Sequence, residues 1–411
     1  MRTREVVDLR TAVWLYFFLF IAFFDLHAQY PILTPFAVSL GAAPSFIGLV
    51  MGMYALTHLP GNLLAGIWVD RYGSRLFIAA SMAGAGVLLI LQARVTDPWE
   101  LLYIRSVSGF VLAFLSPACM ALLARLARSH FQQGKLMAGN GMVNTVASVV
   151  SPAAGAYLAA TIGFKASFAL LGWILLVTGI ASLFFIREPK KETPMQGKPE
   201  KPLAEKAAPV PAPAGNGKAS SVPAEAGKFP WIVFALPMAL ACAQGILSFE
   251  LPLRAKTSDE VLTVGILFSV ISLGALVTLS MMFLNRYLPY VRTIGGLTLL
   301  ASSYYAMAMD WPLPLAAILF ALGMAKGILF PAMTSLLLQL SGASRYGRTF
   351  SVMSICLSIG SFLGPVAAGA LRDHVSPFFL AFLVLMTAML LLYPRQAYRR
   401  GWHGTAALPR A

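Results

Sequence analysis

The chain has 411 residues, of which 58% are hydrophobic and only 11% charged, with a formal net charge of +15. Soluble domains carry about 25% charged residues, so this composition excludes an ordinary soluble protein. Long runs of Leu, Ala, Met and Gly without period-two alternation exclude a β-barrel, and the chain reads as an all-α polytopic membrane protein.

Apolar runs of about 20 residues, each able to cross a bilayer of about 30 Å as a helix, recur along the chain. They predict helices over 12–37, 44–69, 76–95, 99–124, 137–160 and 165–186. A second set is predicted over 229–252, 260–284, 293–309, 312–340, 347–371 and 375–394. Between the sets, 187–228 is rich in Pro, Ala, Lys, Glu and Gly; it cannot bury apolar surface and is expected to be a mobile cytoplasmic linker. The expected plan is a six-helix bundle over 1–186, the linker 187–228, a second bundle over 229–394 and a tail over 395–411. The first apolar run continues past Asp25 and Pro31 with no clear cleavage site, so it is expected to be a retained helix and not a signal peptide.

The positive charge invites a nucleic-acid partner, but its placement argues for a membrane. Most of the 31 Lys and Arg fall in the N-terminal tail, the even-numbered loops, the linker and the C-terminal tail, whereas the opposite loops hold Arg94, Lys165, Arg254, Lys256 and Arg372. This bias sets both termini in the cytoplasm. Cys119, Cys242 and Cys356 lie far apart in separate apolar runs, giving no disulfide framework and no metal spacing. No G-x-x-x-x-G-K-[ST] loop is present, and no cofactor, nucleic acid or direct use of ATP is expected.

Sliding the chain by about 214 residues lays one half on the other. Asp70-Arg71-Tyr72 falls on Asn285-Arg286-Tyr287, Ala28-Gln29 on Ala243-Gln244, Gly109 and Pro117 on Gly323 and Pro331, Gly134 on Gly347, and Pro152 on Pro365. The chain is an internal repeat, and parallel repeats of this kind hold a binding site near the midplane.

Four charged residues fall inside or near the ends of apolar runs, where a central charge costs about 2.5–3.5 kcal/mol and must meet a partner or water. Asp25 lies near mid-membrane with Gln29 one turn later on the same face. It is the candidate for proton coupling or cargo contact; the alternative is a structural ion pair with a base on a neighbouring helix. Lys326 is equally deep, flanked by Gly323 and Gly327, and its repeat mate is Leu112, so it is not a general scaffold feature. Cargo binding, pairing with Asp25 and snorkelling are its possible roles. Arg105 heads a stripe with Gly109, Ala113 and Pro117, and either supports a proton relay or anion site or reaches the surface. Glu250 either belongs to a symmetric acid pair, because Phe249-Glu250-Leu251 looks like Phe24-Asp25-Leu26, or meets the outer surface beside Arg254. Gln244, the mate of Gln29, completes the candidate cavity set. His27 and His58 could titrate near neutral pH, although a packed, hydrogen-bonded histidine is the commoner case.

The turn Gly66-Ile-Trp-Val-Asp-Arg-Tyr-Gly-Ser-Arg75 resembles the signature G-x-x-x-D-R-x-G-x-R/K of the major facilitator superfamily, at Gly66, Asp70, Arg71, Gly73 and Arg75. The resemblance covers all of the chain except the linker and tails. It implies twelve helices in two pseudo-symmetric bundles, with the first, fourth, seventh and tenth lining a central cavity. It also implies that the Asp70 turn latches the halves in an outward-facing state; the alternative is a basic loop that only sets topology. Gly66 is expected to allow close helix approach and Gly73 a sharp turn. Arg105 and Gly109 resemble the family's R-x-x-x-G motif. Ser151-Pro152-Ala-Ala-Gly155 is similar to the G-P-x-x-G motif of its exporters, with Ser151 in place of the first glycine. Gly364, Pro365 and Gly369 are similar in kind; ordinary small-residue packing is the alternative for both stretches.

The resulting expectation is a monomeric secondary transporter in a bacterial plasma membrane. It would export a small amphiphilic compound, as multidrug efflux proteins do, in exchange for protons. Import or flipping of an anionic or lipid-like substrate, favoured by Arg105 and Lys326, is the alternative. A membrane-embedded enzyme would need a nucleophile–base pair or a metal cluster, and a sensor would bring a folded soluble domain; the sequence offers neither.

Overall fold

A computed structural model describes residues 2–126, 130–186, 231–341 and 346–392. The expected linker over 187–228 and tail over 395–411 lie outside them. Among the described residues there are fourteen α-helices and no strands. In the first half these are α1 (Arg2–Ala28), α2 (Tyr30–Ser39), α3 (Pro44–Tyr72), α4 (Ser74–Gln92), α5 (Pro98–Leu112), α6 (Leu115–Leu126), α7 (His130–Ile162) and α8 (Phe164–Phe185). The second half holds α9 (Ala235–Leu253), α10 (Ser258–Ser280), α11 (Pro289–Ala308), α12 (Leu315–Ser341), α13 (Tyr346–Leu371) and α14 (Pro377–Leu391).

These form twelve segments, because two of the expected helices are each broken in two. The predicted helix 12–37 breaks at Gln29. Pro31, in the first turn of α2, has no N–H to continue the ladder, and the chain restarts on the Gln29 carbonyl, which accepts from Ile32 and Leu33 at 3.2 and 3.0 Å. The predicted helix 99–124 breaks at Ala113–Phe114, just before Pro117. Its repeat mate α12 runs unbroken through Pro331, so proline alone does not decide a break. Ten segments are long and apolar enough to cross a membrane on their own. Of the other two, α14 is apolar but has only 15 residues. The remaining segment, α11, is diluted by Ser302, Ser303 and three tyrosines.

Within the first half, α4 packs on α8, α1 on α7 and α3 on α5; within the second, α9 packs on α13, and α12 on α10 and α11. The repeat is visible in side-chain detail. Gly109 of α5 lies against the backbone of Tyr54 on α3, and its mate Gly323 of α12 lies against the backbone of Ile271 on α10. Neither site has room for a Cβ, so each glycine fixes the same helix pair in its own half.

The halves meet along two equivalent seams, α3 on α13 and α10 on α7. Gly48 touches the Pro365 carbonyl in the first seam, and Gly265 touches the Pro152 carbonyl in the second. Gly369 closes against Pro44 and Ser45. All these contacts lie toward the membrane face opposite Asp70. The flanking Gly155 and Gly364 point the other way, onto Ala28 and Cys242 of their own halves.

Candidate functional site

The break after α1 places Asp25 and Gln29 on adjoining turns at the middle of the first segment. Both are buried, at 3% and 5% exposure. Gln29 Nε2 donates to Asp25 Oδ2 at 2.9 Å, and Gln29 Oε1 accepts from Arg105 Nη1 at 2.8 Å. A single amide therefore links acid and base, which do not touch each other. The Arg105 guanidinium lies over the Tyr54 ring at 4.6 Å, a contact that favours a cation in a dry setting. Among the described residues Asp25 Oδ1 and Arg105 Nε have no hydrogen-bond partner, so neither charge is fully satisfied there.

The second half repeats the amide–base contact. Gln244 of α9, the repeat mate of Gln29, accepts through Oε1 from Lys326 Nζ of α12. Its Nε2 donates to Ser248 Oγ at 3.3 Å. The bases stand on equivalent helices at different heights, and the position matching Asp25 is Leu240. The second copy thus keeps the amide and a base but lacks the acid.

These groups bound two cavities. The larger, about 350 Å³, lies between α3 and α13 and runs from Pro365 at the seam to Asn62 and Ser354, toward the Asp70 face. Gln29, Arg105, Tyr54 and Gln244 line it. The smaller, about 270 Å³, is lined by Lys326, His27, Asn144 and Ser272, and shares Tyr30 and Gln244 with the first. His27 Nε2 donates to Asn144 Oδ1 at 3.1 Å, and Asn62 Nδ2 donates to His58 Nδ1 at 2.9 Å. Both histidines are thus hydrogen-bonded. Asp25 lines neither cavity and stands behind Gln29. The volume and mixed wall suit a small organic molecule.

Glu250 does not join this site. It is 2% exposed and bonded to Arg254 Nε at 3.2 Å and to Arg372 Nε and Nη2 at 3.0 and 3.3 Å. It sits near the end of α9 on the side opposite Asp70, where the repeat register aligns it with Pro35, and the similarity of its neighbours to Phe24-Asp25-Leu26 carries no spatial meaning. Lys326 does not pair with Asp25; its partner is Gln244. The sequence held no signal for Arg372, which approaches Glu250 from 122 residues away.

In the Asp70 turn, Gly73 adopts φ +97° and is the single residue between α3 and α4. A side chain is strained there, as the sharp turn requires. Asp70 pairs with Arg125 of its own half at 3.5 Å, Arg71 lies 5.4 Å from the Tyr72 ring, and Arg75 donates to the Leu183 carbonyl at the end of α8. Gly66 differs from expectation. Among the described residues no atom lies within 4 Å of where its Cβ would stand, so it mediates no close approach between them.

Residues 15–301 and 286–407 match the Major Facilitator Superfamily profile. The chain is 23% identical over 409 residues to the quinolone resistance protein NorA of Staphylococcus aureus (strain MSSA476), covering 94% of this chain and 96% of that protein. It is 25% identical over 358 residues to the multidrug resistance protein MdtG of Escherichia coli (strain 55989 / EAEC), covering 83% and 81%. Among solved structures, a bacterial homologue of the human lysosomal transporter Spinster, inward-facing and occupied, aligns with TM-score 0.68 at 16% identity over 97% of this chain and 96% of that one. The nucleoside transporter NupG aligns with TM-score 0.68 at 14% identity over 95% and 100%. These two likenesses show the fold. With its repeat, its ten long apolar helices and a profile match along nearly its whole length, this multi-pass membrane protein belongs to the Major Facilitator Superfamily.

Proposed function

We propose that the chain exports a small amphiphilic compound across the plasma membrane in exchange for protons, both termini being cytoplasmic. The observation that carries this reading is the Asp25–Gln29–Arg105 line: a buried acid tied through one amide to a base in the cavity wall. Protonation of Asp25 removes the charge that Gln29 and Arg105 face. Gln29 can then turn toward the cavity, and the wall changes its hold on the cargo. The efflux relatives support the direction. Rocking of 1–186 against 229–394 about the two glycine seams supplies alternating access, with the face opposite Asp70 closed here. One proton moving down 100 mV provides about 2.3 kcal/mol, enough to bias such a cycle.

The test uses inside-out vesicles carrying the full chain, with and without a pH gradient, and a panel of fluorescent amphiphiles. Asp25→Asn should fold and still bind, but lose gradient-driven uptake into the vesicles. Undiminished gradient-driven flux in that variant would falsify the coupling mechanism.

A further inference from the structure

We infer that the cargo carries an acidic group and that Lys326 is the residue that receives it. The inference rests on the central cavities being where cargo binds. Among the described residues neither cavity wall contains a carboxylate: the fixed charges are Arg105 in the larger chamber and Lys326 in the smaller. Arg105 has an acid close by, since Gln29 joins it to Asp25. The repeat equivalent of that acid is Leu240, so Lys326 has only the neutral oxygen of Gln244. Among the described residues no carboxylate pairs with it.

A cation held at membrane depth without a counter-charge is costly. Lys326 lies eleven residues into the 27-residue α12, or about 16 Å from its start, too deep for the ammonium to reach either surface. It is partly buried and faces a chamber next to the main one. An acidic group entering that chamber supplies the missing charge. Gln244 is already turned to fix the ammonium, and an apolar body attached to the acid extends past Tyr30 and Gln244 into the larger chamber, which both residues also line. The chemical class is therefore an amphiphilic anion of modest size, with its acid in the Lys326 chamber and its apolar part between α3 and α13.

A matched set of probes tests this: naphthalene-2-sulfonate, the neutral naphthalene-2-sulfonamide and the cationic 2-naphthylmethylammonium. Each is titrated calorimetrically against the full chain in lipid nanodiscs, in chloride-free buffer. The sulfonate should bind roughly ten-fold tighter than the other two, the scale of one charge-assisted contact. Lys326→Gln should reduce that preference to within about two-fold, and Lys326→Arg should retain it. Lys326→Met carries the same test should the glutamine variant fail to fold. The inference fails if the cation or the amide binds as tightly as the sulfonate, if the sulfonate does not bind, or if the preference survives loss of the lysine. It fails too if physiological chloride removes the preference, which assigns the chamber to a free inorganic ion. Anion-selective binding without vectorial flux in proteoliposomes would remove the transport reading and leave the anion site. Proton-driven flux without anion preference would do the reverse.

Discussion

Each half of the chain sets a glutamine from its first segment against a base from its fourth, yet only one pair has an acid behind it. Gln29 and Gln244 stood in register in the sequence, but their partners did not. Arg105 falls opposite Leu319 and Lys326 opposite Leu112, so no alignment of the halves could pair them. Glu250 is the converse case. Its local sequence looked like that of Asp25, while its environment depends on Arg372, which only the folded chain brings near. Glu250→Gln should lower stability by about 1–3 kcal/mol, read as a lower melting temperature in detergent, because a buried acceptor of two guanidinium groups is lost. Binding in the central cavity should be unchanged, since Glu250 lines neither chamber. A loss of binding without a loss of melting temperature would place Glu250 in the site after all.

At the scale of helices, the number and order of membrane segments were legible because ten of the twelve are long apolar runs, and composition reports that directly. The breaks were not legible. Pro31 and Pro331 both lie in apolar helices, and only the first coincides with a break; the difference depends on what neighbouring helices do for the freed carbonyls. The seams follow a plainer rule, since Gly48 and Gly265 permit backbone contact between halves. Replacing either by leucine places a side chain where the Pro365 or Pro152 carbonyl stands, and the state closed on that face must give way. Spin labels on Ala42 and Asp373 should then report a longer distance across the first seam for Gly48→Leu. An unchanged distance with intact folding would mean that the seam is not a gate.

Across the whole molecule, the two faces are treated differently. The face opposite Asp70 is held by glycine–backbone contacts, whereas the Asp70 face carries exposed charges. The Asp70–Arg125 pair, with Asp70 77% exposed, contributes about 0–1 kcal/mol to this state. Asp70→Asn removes the acid's charge from that exposed pair. If the turn latches the halves when the opposite face opens, the same substitution should shift the Ala42–Asp373 distance distribution toward the shorter, closed form. An unaltered distribution would reduce the turn to a topology signal.

The position of Asp25 has a consequence for how such a carrier can change its diet. The acid is screened from both chambers by a single amide, so the molecules carried never need to contact it. If Asp25 couples protons as proposed, substitutions in the walls, at Tyr54, Ser354 or Lys326, can alter what is accepted while that acid stays untouched. Breadth of cargo and constancy of drive become separable traits, and new specificities can arise by changing the lining alone.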